Sequence, residues 1–152
     1  MNCRNCNKIL TQTVLDFGFA PPSNAYLKED DLSKPEIYLP LKIRLCDRCW
    51  LVQTEDYVKS GDLFNSGYAY FSSTSKSWLK HAKSYAKKMI HLLKLDSNSH
   101  VLEIACNDGY LLKNFVQNGI PCLGVEPTQS TALAAEHLGI PVVKDFFDES
   151  MG

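Results

Sequence analysis

Hydrophobic positions along the chain change their period twice. Up to about residue 60 they come in short runs between turn formers, and "TVLDFG", "YLPLKIRLC" and "WLVQTEDYV" read as short strands. Pro21, Pro22, Pro35 and Pro40 exclude a long helix from this region. From Lys76 to about Leu95, Trp78, Ala82, Tyr85, Met89 and Leu93 recur at steps of three or four, which predicts a helix with one apolar face. Ser73, Thr74 and Ser75 are candidate N-caps. Lys76, Lys80, Lys83 and Lys87 form a basic stripe away from that face, as a solvated helix surface does.

From Asn98 onward the pattern shortens. "HVLEIAC" suits a buried parallel strand, and "GYLLKNFVQNG" a helix closed by Gly119. "IPCLGVEP" reads as a second strand, "QSTALAAEHLGI" as a helix ending near Gly139, and "PVVKDFF" as the start of a third strand. Strand, helix, strand, helix, strand is the rhythm of a doubly wound α/β sheet. The expected fold class is therefore α/β. A small β-rich module covers 1–60, an aromatic segment and linking helix cover 61–97, and the first part of a doubly wound sheet covers 98–152.

Bulk properties narrow the classes. A chain of 152 residues with 45% hydrophobic and 22% charged positions is ordinary for one globular domain or two small ones. A net charge of -1 offers no general field for nucleic acid or a membrane surface. No apolar run approaches the roughly 18 residues of a membrane span. The start, MNCRNC, lacks the apolar core of a signal peptide, so the expected compartment is the cytoplasm, where thiols stay reduced.

Under those conditions the cysteines take on meaning. Cys3/Cys6 and Cys46/Cys49 are two C-x-x-C pairs. Two residues between thiolates let one tight turn present both sulfurs to one ion, and two such knuckles complete a tetrahedral, closed, structural zinc site. The 39 residues between the knuckles exceed the usual ribbon spacing. Disulfides or a redox pair are the alternatives, but neither pair sits beside a βαβ unit. Arg4, Lys8, Arg44 and Arg48 flank the cysteines, either lowering thiolate pKa values or as surface charges. The zinc module also gives the β-rich segment the staple its size requires.

The stretch "VLEIACNDGYLL" poses the second chemical question. In a doubly wound sheet, ligands bind at the carboxyl ends of the strands, where Asn107, Asp108 and Gly109 fall. Glu126 ends the second strand, 23 residues after Glu103, where an acid accepts hydrogen bonds from ribose hydroxyls. NAD needs close backbone approach to its pyrophosphate, and the loop from Ala105 to Gly109 holds one glycine. S-adenosylmethionine tolerates such a loop, and its cationic groups welcome a carboxylate. On these residues NAD, S-adenosylmethionine and no cofactor all remain open.

Taken together, the paired cysteines, "VLDFGFAPPSNAYL", "YLPLKIRLCDRCWLVQ", "LFNSGYAYFSSTS", "VLEIACNDGYLL" and "CLGVEPTQSTALAAEHLGIP" resemble, in order and spacing, the sugar C-methyltransferases that modify nucleotide-linked deoxysugars. The resemblance covers nearly the whole chain. It implies an N-terminal zinc module, a central Rossmann-like S-adenosylmethionine domain and a further Rossmann-like domain. It implies Zn2+ on Cys3, Cys6, Cys46 and Cys49, and S-adenosylmethionine near Tyr70, Ser72, Glu103, Ala105, Asn107, Asp108, Gly109, Tyr110, Leu111, Glu126 and Pro127. Tyr68 and Tyr70 match tyrosines near cofactor and substrate, and packing is the alternative for both. Ala105 stands where many members carry glycine.

The implied reaction is methylation of a carbon beside a ketone, through an enolate, on a nucleotide-linked keto-deoxysugar. The family's general-base histidine has no match in His81, His91, His100 or His137. The chain thus reads as an N-terminal portion, expected to bind zinc but to turn over little by itself. The exposed edge of its unfinished sheet is a surface for association. Two rival readings are a zinc-ribbon module that binds nucleic acid or protein, and an NAD-dependent α/β enzyme.

Overall fold

The computed structural model describes residues 1–65 and 67–151. The chain divides into two compact units, Met1–Leu63 and the residues from Phe64 onward. No described helix is long and apolar enough to cross a membrane.

The first unit is an antiparallel sheet of β1 (Gln12–Ala20), β2 (Leu39–Leu45) and β3 (Val52–Thr54), in that order, followed by a four-residue helix α1 (Ser60–Leu63). β2 is central only at its end: Ile43 to Leu45 pair with Thr54 to Val52, whereas Pro40 faces Phe19 of β1 alone. Pro40 therefore sits where its missing N–H leaves no second ladder incomplete. β3 is shorter than "WLVQTEDYV" suggests. Trp50 and Leu51, just before it, complete a cysteine turn in which Trp50 N–H donates to the Cys46 carbonyl and Cys46 N–H to the Leu51 carbonyl. The buried centre of the unit is Cys3, Leu10 and Cys46, with Cys6 and Cys49 packed against them. A module with so small an apolar core depends on what its cysteines hold.

The second unit consists of α2 (Lys76–Leu93), β4 (Val101–Ile104), α3 (Leu112–Val116), β5 (Cys122–Val125), α4 (Gln129–Glu136) and β6 (Val142–Val143). The strands form a parallel sheet in the order β4-β5-β6, with Glu103 opposite Gly124 and Gly124 opposite Val142. This is a mixed α/β unit wound in one direction; the reversal of strand order that defines a doubly wound sheet is not among the described strands. Its core joins Ala86 of α2 to Cys106, Leu112, Phe115, Ile120, Cys122, Ala135 and Ile140.

Three local expectations shift. Ser75 is the N-cap of α2, accepting from Trp78 N–H, whereas Ser73 and Thr74 belong to a short 3-10 turn. The buried stripe of α2 is Ala82 and Ala86, with Met89 and Ile90 partly buried, while Trp78, Tyr85 and Leu93 are 43%, 46% and 60% exposed. Small residues let α2 lie close to α3, and the large side chains flank the contact. α3 begins at Leu112 rather than Gly109, because Ala105, Asn107 and Gly109 all have positive φ, which a right-handed helix cannot absorb.

Candidate functional site

In the first unit the two knuckles bring Cys3, Cys6, Cys46 and Cys49 together, with all four Sγ atoms within 4.8 Å of one another. Cys3 and Cys49 stand 3.5 Å apart, as do Cys6 and Cys46. Zinc–sulfur bonds of about 2.3 Å place tetrahedral sulfurs nearly 4 Å apart, so the set fits a zinc ion. The donors are unequal. The backbone N–H of Cys6 is the main influence drawing Cys3 down to about 6. For Cys6 the Lys8 N–H acts in the same direction, yet desolvation and the neighbouring cysteines carry it up to about 11. Thiols so close resist ionising together, and a dication removes that conflict. Gln53, buried behind the knuckle, donates its amide to Cys3 Sγ at 3.3 Å and accepts from Arg4 N–H. The flanking cations are engaged: Arg4 pairs with Asp56, Lys8 with Asp47 and Arg44 with Glu55.

In the second unit a cavity of about 400 Å³ opens at the carboxyl ends of β4 and β5. Two close approaches shape the scaffold around it. A Cβ on Gly124 would lie 2.4 Å from Cys106 Sγ, and one on Gly109 would lie 2.5 Å from Ile140 Cδ1. Only glycine lets the turn after β4 settle so tightly on β5 and on Ile140, two residues before β6. Between them Cys106 is fully buried, and its thiol is pushed up to about 12, by burial first and then by the charges of Glu103 and Glu126.

The Asn-Asp bend fastens an upstream segment. Asn107 Oδ1 accepts from Ser72 N–H at 2.8 Å, and Asn107 Nδ2 donates to the Tyr70 carbonyl at 3.2 Å. Asp108 Oδ2 accepts from Ser73 N–H at 3.0 Å. Residues 70–73 are thus strapped across the turn, and Tyr68, Tyr70 and Ser72 line the cavity. Glu126 is buried and holds the turn from the other side, accepting from Asn107 N–H and Thr128 N–H, each at 2.9 Å. Each carboxylate oxygen keeps a further lone pair for a ligand.

Of the cofactor-binding residues expected from sequence, Tyr70, Ser72, Ala105, Asn107, Tyr110, Glu126 and Pro127 line this cavity. Four do not. Asp108 is buried beneath the strap and Gly109 lies against Ile140. Leu111 lines two other clefts beside α2, and Glu103 shares one of these. Burial pushes the Glu103 carboxyl from 4.5 up to about 7, and its Oε2 has no hydrogen-bond partner. Phe64, Ile104, Val125, Asp145, Phe146 and Phe147 complete the lining and escaped the sequence reading. The Asp-Phe-Phe run follows the third strand, where the strand-end rule for α/β sheets already points. Phe64 stacks edge-on with Tyr68 at 5.1 Å and with Phe146 at 6.5 Å. Among the described residues lining the cavity, Glu126 and Asp145 carry charge, and there is no lysine, arginine or histidine.

Comparison with known proteins bears on both units. Residues 3–64 match the model of a family described as "Putative zinc binding domain". Over 150 residues the chain is 27% identical to C-methyltransferase NovU of Streptomyces niveus. That alignment covers 99% of this chain and 36% of NovU, so the chain spans about a third of the length of this curated relative. A solved SAM dependent methyltransferase from Archaeoglobus fulgidus aligns with a TM-score of 0.32 and 22% identity, covering 41% of this chain and 28% of that one. With its matched zinc-binding module and its likeness to NovU, the chain resembles the N-terminal portion of a C-methyltransferase.

Proposed function

We propose that this chain supplies the zinc-binding and cofactor-binding portion of an S-adenosylmethionine-dependent methyltransferase that acts on carbon. The observation that carries the reading is the cavity at the strand ends, walled by aromatic rings and bearing two carboxylates with no cation among its described lining residues. A pyrophosphate would meet like charge there, whereas a sulfonium and an ammonium group would meet opposite charge. This favours S-adenosylmethionine over NAD.

A bound S-adenosylmethionine would supply an electrophilic methyl group. The chain's own residues bind and orient. Glu126 would accept from ribose hydroxyls with its remaining lone pairs. Asp145, next to Phe146 and Phe147, would offer an acceptor to the cofactor's adenine amino group. Ala105 and Asn107 form the floor. The substrate in this reading is a nucleotide-linked keto-deoxysugar. The donor's methyl would go to an enolate carbon formed beside the ketone by loss of a proton to a base, and the Tyr68 and Tyr70 hydroxyls would steady the ketone oxygen. No histidine or lysine lines the cavity among the described residues, so the chain alone is expected to turn over slowly at best. Zinc on Cys3, Cys6, Cys46 and Cys49 is structural, and the setting is a thiol-reducing one such as the cytoplasm. The parallel strands are then the first half of a doubly wound sheet, preceded by a zinc module over 1–60 and a linking segment over 61–97. Ion pairing of Arg4, Lys8 and Arg44 counts against a nucleic-acid-binding ribbon.

Calorimetric titration of the zinc-loaded chain with S-adenosylhomocysteine, with NAD as control, tests the reading. Saturable binding of the homocysteine compound alone is expected. Tight NAD binding, or binding of neither, overturns it.

A further inference from the structure

The first unit holds one buried polar side chain among its described residues, Gln53, which is 4% exposed. Burying an amide costs stability unless its hydrogen bonds are met, and an apolar side chain of the same length would fill the space without that cost. Gln53 is met at both ends by the first knuckle. Its Oε1 accepts from Arg4 N–H at 3.1 Å, and its Nε2 donates to Cys3 Sγ at 3.3 Å. Only one orientation of the amide serves, because Arg4 N–H can donate but not accept. The knuckle needs such a hold. Cys3 N–H donates to the Lys8 carbonyl, Asn7 N–H to the Cys3 carbonyl and Leu10 N–H to the Met1 carbonyl, so these backbone bonds close within residues 1–10. Attachment to the rest of the module passes through side chains. Lys8 reaches Asp47 in the second knuckle. Arg4 reaches β3 and beyond: its guanidinium donates to the Thr54 carbonyl at 2.8 Å and to both carboxylate oxygens of Asp56. Gln53 is paired across the sheet with Arg44 of β2, so the strand that leaves the second knuckle grips the first. Of these ties, the Gln53 amide is the one that ends on a cysteine sulfur.

We infer that Gln53, seated by Arg4, is a positioning residue for the metal: its amide fixes the Cys3 sulfur and so sets how tightly the module retains zinc. The inference rests on the reading of the four cysteines as a zinc site. A thiolate bound to one ion keeps lone pairs free, and the Gln53 N–H takes one of them as a charge-assisted bond. That bond directs the sulfur and draws electron density from it. Partners placed just outside the ligands in this way are worth roughly 10- to 100-fold in metal affinity.

The test uses the full chain. Gln53→Met and Gln53→Leu keep much of the bulk and remove the donor, whereas Asp56→Asn loosens Arg4 without touching the sulfur. Zinc affinity is measured by competition with a chromophoric chelator. The thiolate-to-metal charge-transfer band is recorded on samples saturated with cobalt. Wild type should give the intense band of a four-thiolate cobalt site, and its absence would overturn the zinc reading and this inference with it. Given that band, both Gln53 variants should bind zinc roughly 10- to 100-fold more weakly. Their band should move to lower energy, because a sulfur without its hydrogen bond gives up charge more readily. Asp56→Asn should leave the band in place. Unchanged zinc affinity in both Gln53 variants overturns the inference while the zinc reading stands. So does weaker binding with an unmoved band, since lost packing alone would account for it. If neither variant loads cobalt, Gln53 serves the fold rather than the metal, and the inference falls as well.

Discussion

Replacing Glu103 by glutamine should make the second unit more stable, and by an amount that depends on pH. Glu103 sits on β4 with Oε2 buried and unpartnered, and burial holds its carboxyl up at about 7 instead of 4.5. Below pH 4.5 the group is protonated whether the chain is folded or not, and ionisation adds no cost. Between 4.5 and 7 the unfolded chain gives up the proton while the folded chain keeps it, so the folded state loses ground as pH rises. Above 7 the loss is complete. Each pH unit of such a gap is worth about 1.4 kcal/mol, which makes the full effect about 3 kcal/mol. Partial contact with water lowers this, and roughly 1–3 kcal/mol is the expected gain for Glu103→Gln at pH 8. Urea unfolding of zinc-loaded wild type and variant at intervals from pH 5.5 to 8.5, followed by helical circular dichroism, measures it. The stability difference should widen up to about pH 7 and then level off. A difference that stays constant across the range would refute the burial argument.

Other substitutions probe the remaining contacts. Asn107→Ala removes the bonds to Ser72 and Tyr70, and S-adenosylhomocysteine affinity, read by calorimetry, should drop about tenfold or more as the strap loosens. Gly124→Ala forces a methyl against Cys106 Sγ and should cost roughly 1–3 kcal/mol in urea unfolding, whereas Gly124→Ala combined with Cys106→Ala should recover part of that loss. Ala105→Gly relieves a positive φ of 59° and should raise the melting temperature slightly, because about 1 kcal/mol of strain outweighs the added freedom of the unfolded glycine. Chelating zinc, or Cys46→Ser, should abolish the proton-NMR dispersion of residues 1–63 and leave the helical signal of α2 in place, since structural zinc is worth on the order of 10 kcal/mol to a module of this kind.

What the sequence disclosed depended on how local each signal was. The C-x-x-C spacing needs only a turn, and the four thiols meet as the spacing implied. The strand and helix order of the second unit followed from periodicity, and Gly119 and Gly139 take positive φ after α3 and α4, near where each helix was expected to stop. The face of α2 was less legible. Periodicity weights large apolar residues, while the close approach to α3 selects Ala82 and Ala86, so the buried stripe moved off Trp78, Tyr85 and Leu93. At the cavity, the turn after β4 and Glu126 could be placed from strand-end reasoning. Two features could not be read from local pattern. One is the diversion of Asp108 from ligand to strap, which depends on a bond to a residue 35 positions earlier. The other is the position of Glu103, whose side chain alternates to the face of β4 beside α2.

The strap across the Asn107–Asp108 turn also sets an order of assembly. Residues 70–73 leave the ribosome before the side chains that fasten them, which lie 35 positions downstream. Until β4 and its turn have formed, nothing in the two bonds from Ser72 and Ser73 exists to hold the aromatic wall. The cavity is therefore completed late, after its floor, and the amide protons of Ser72 and Ser73 become natural reporters of when it closes. In the finished protein the same dependence makes the wall the part of the pocket that opens with least disruption of the sheet.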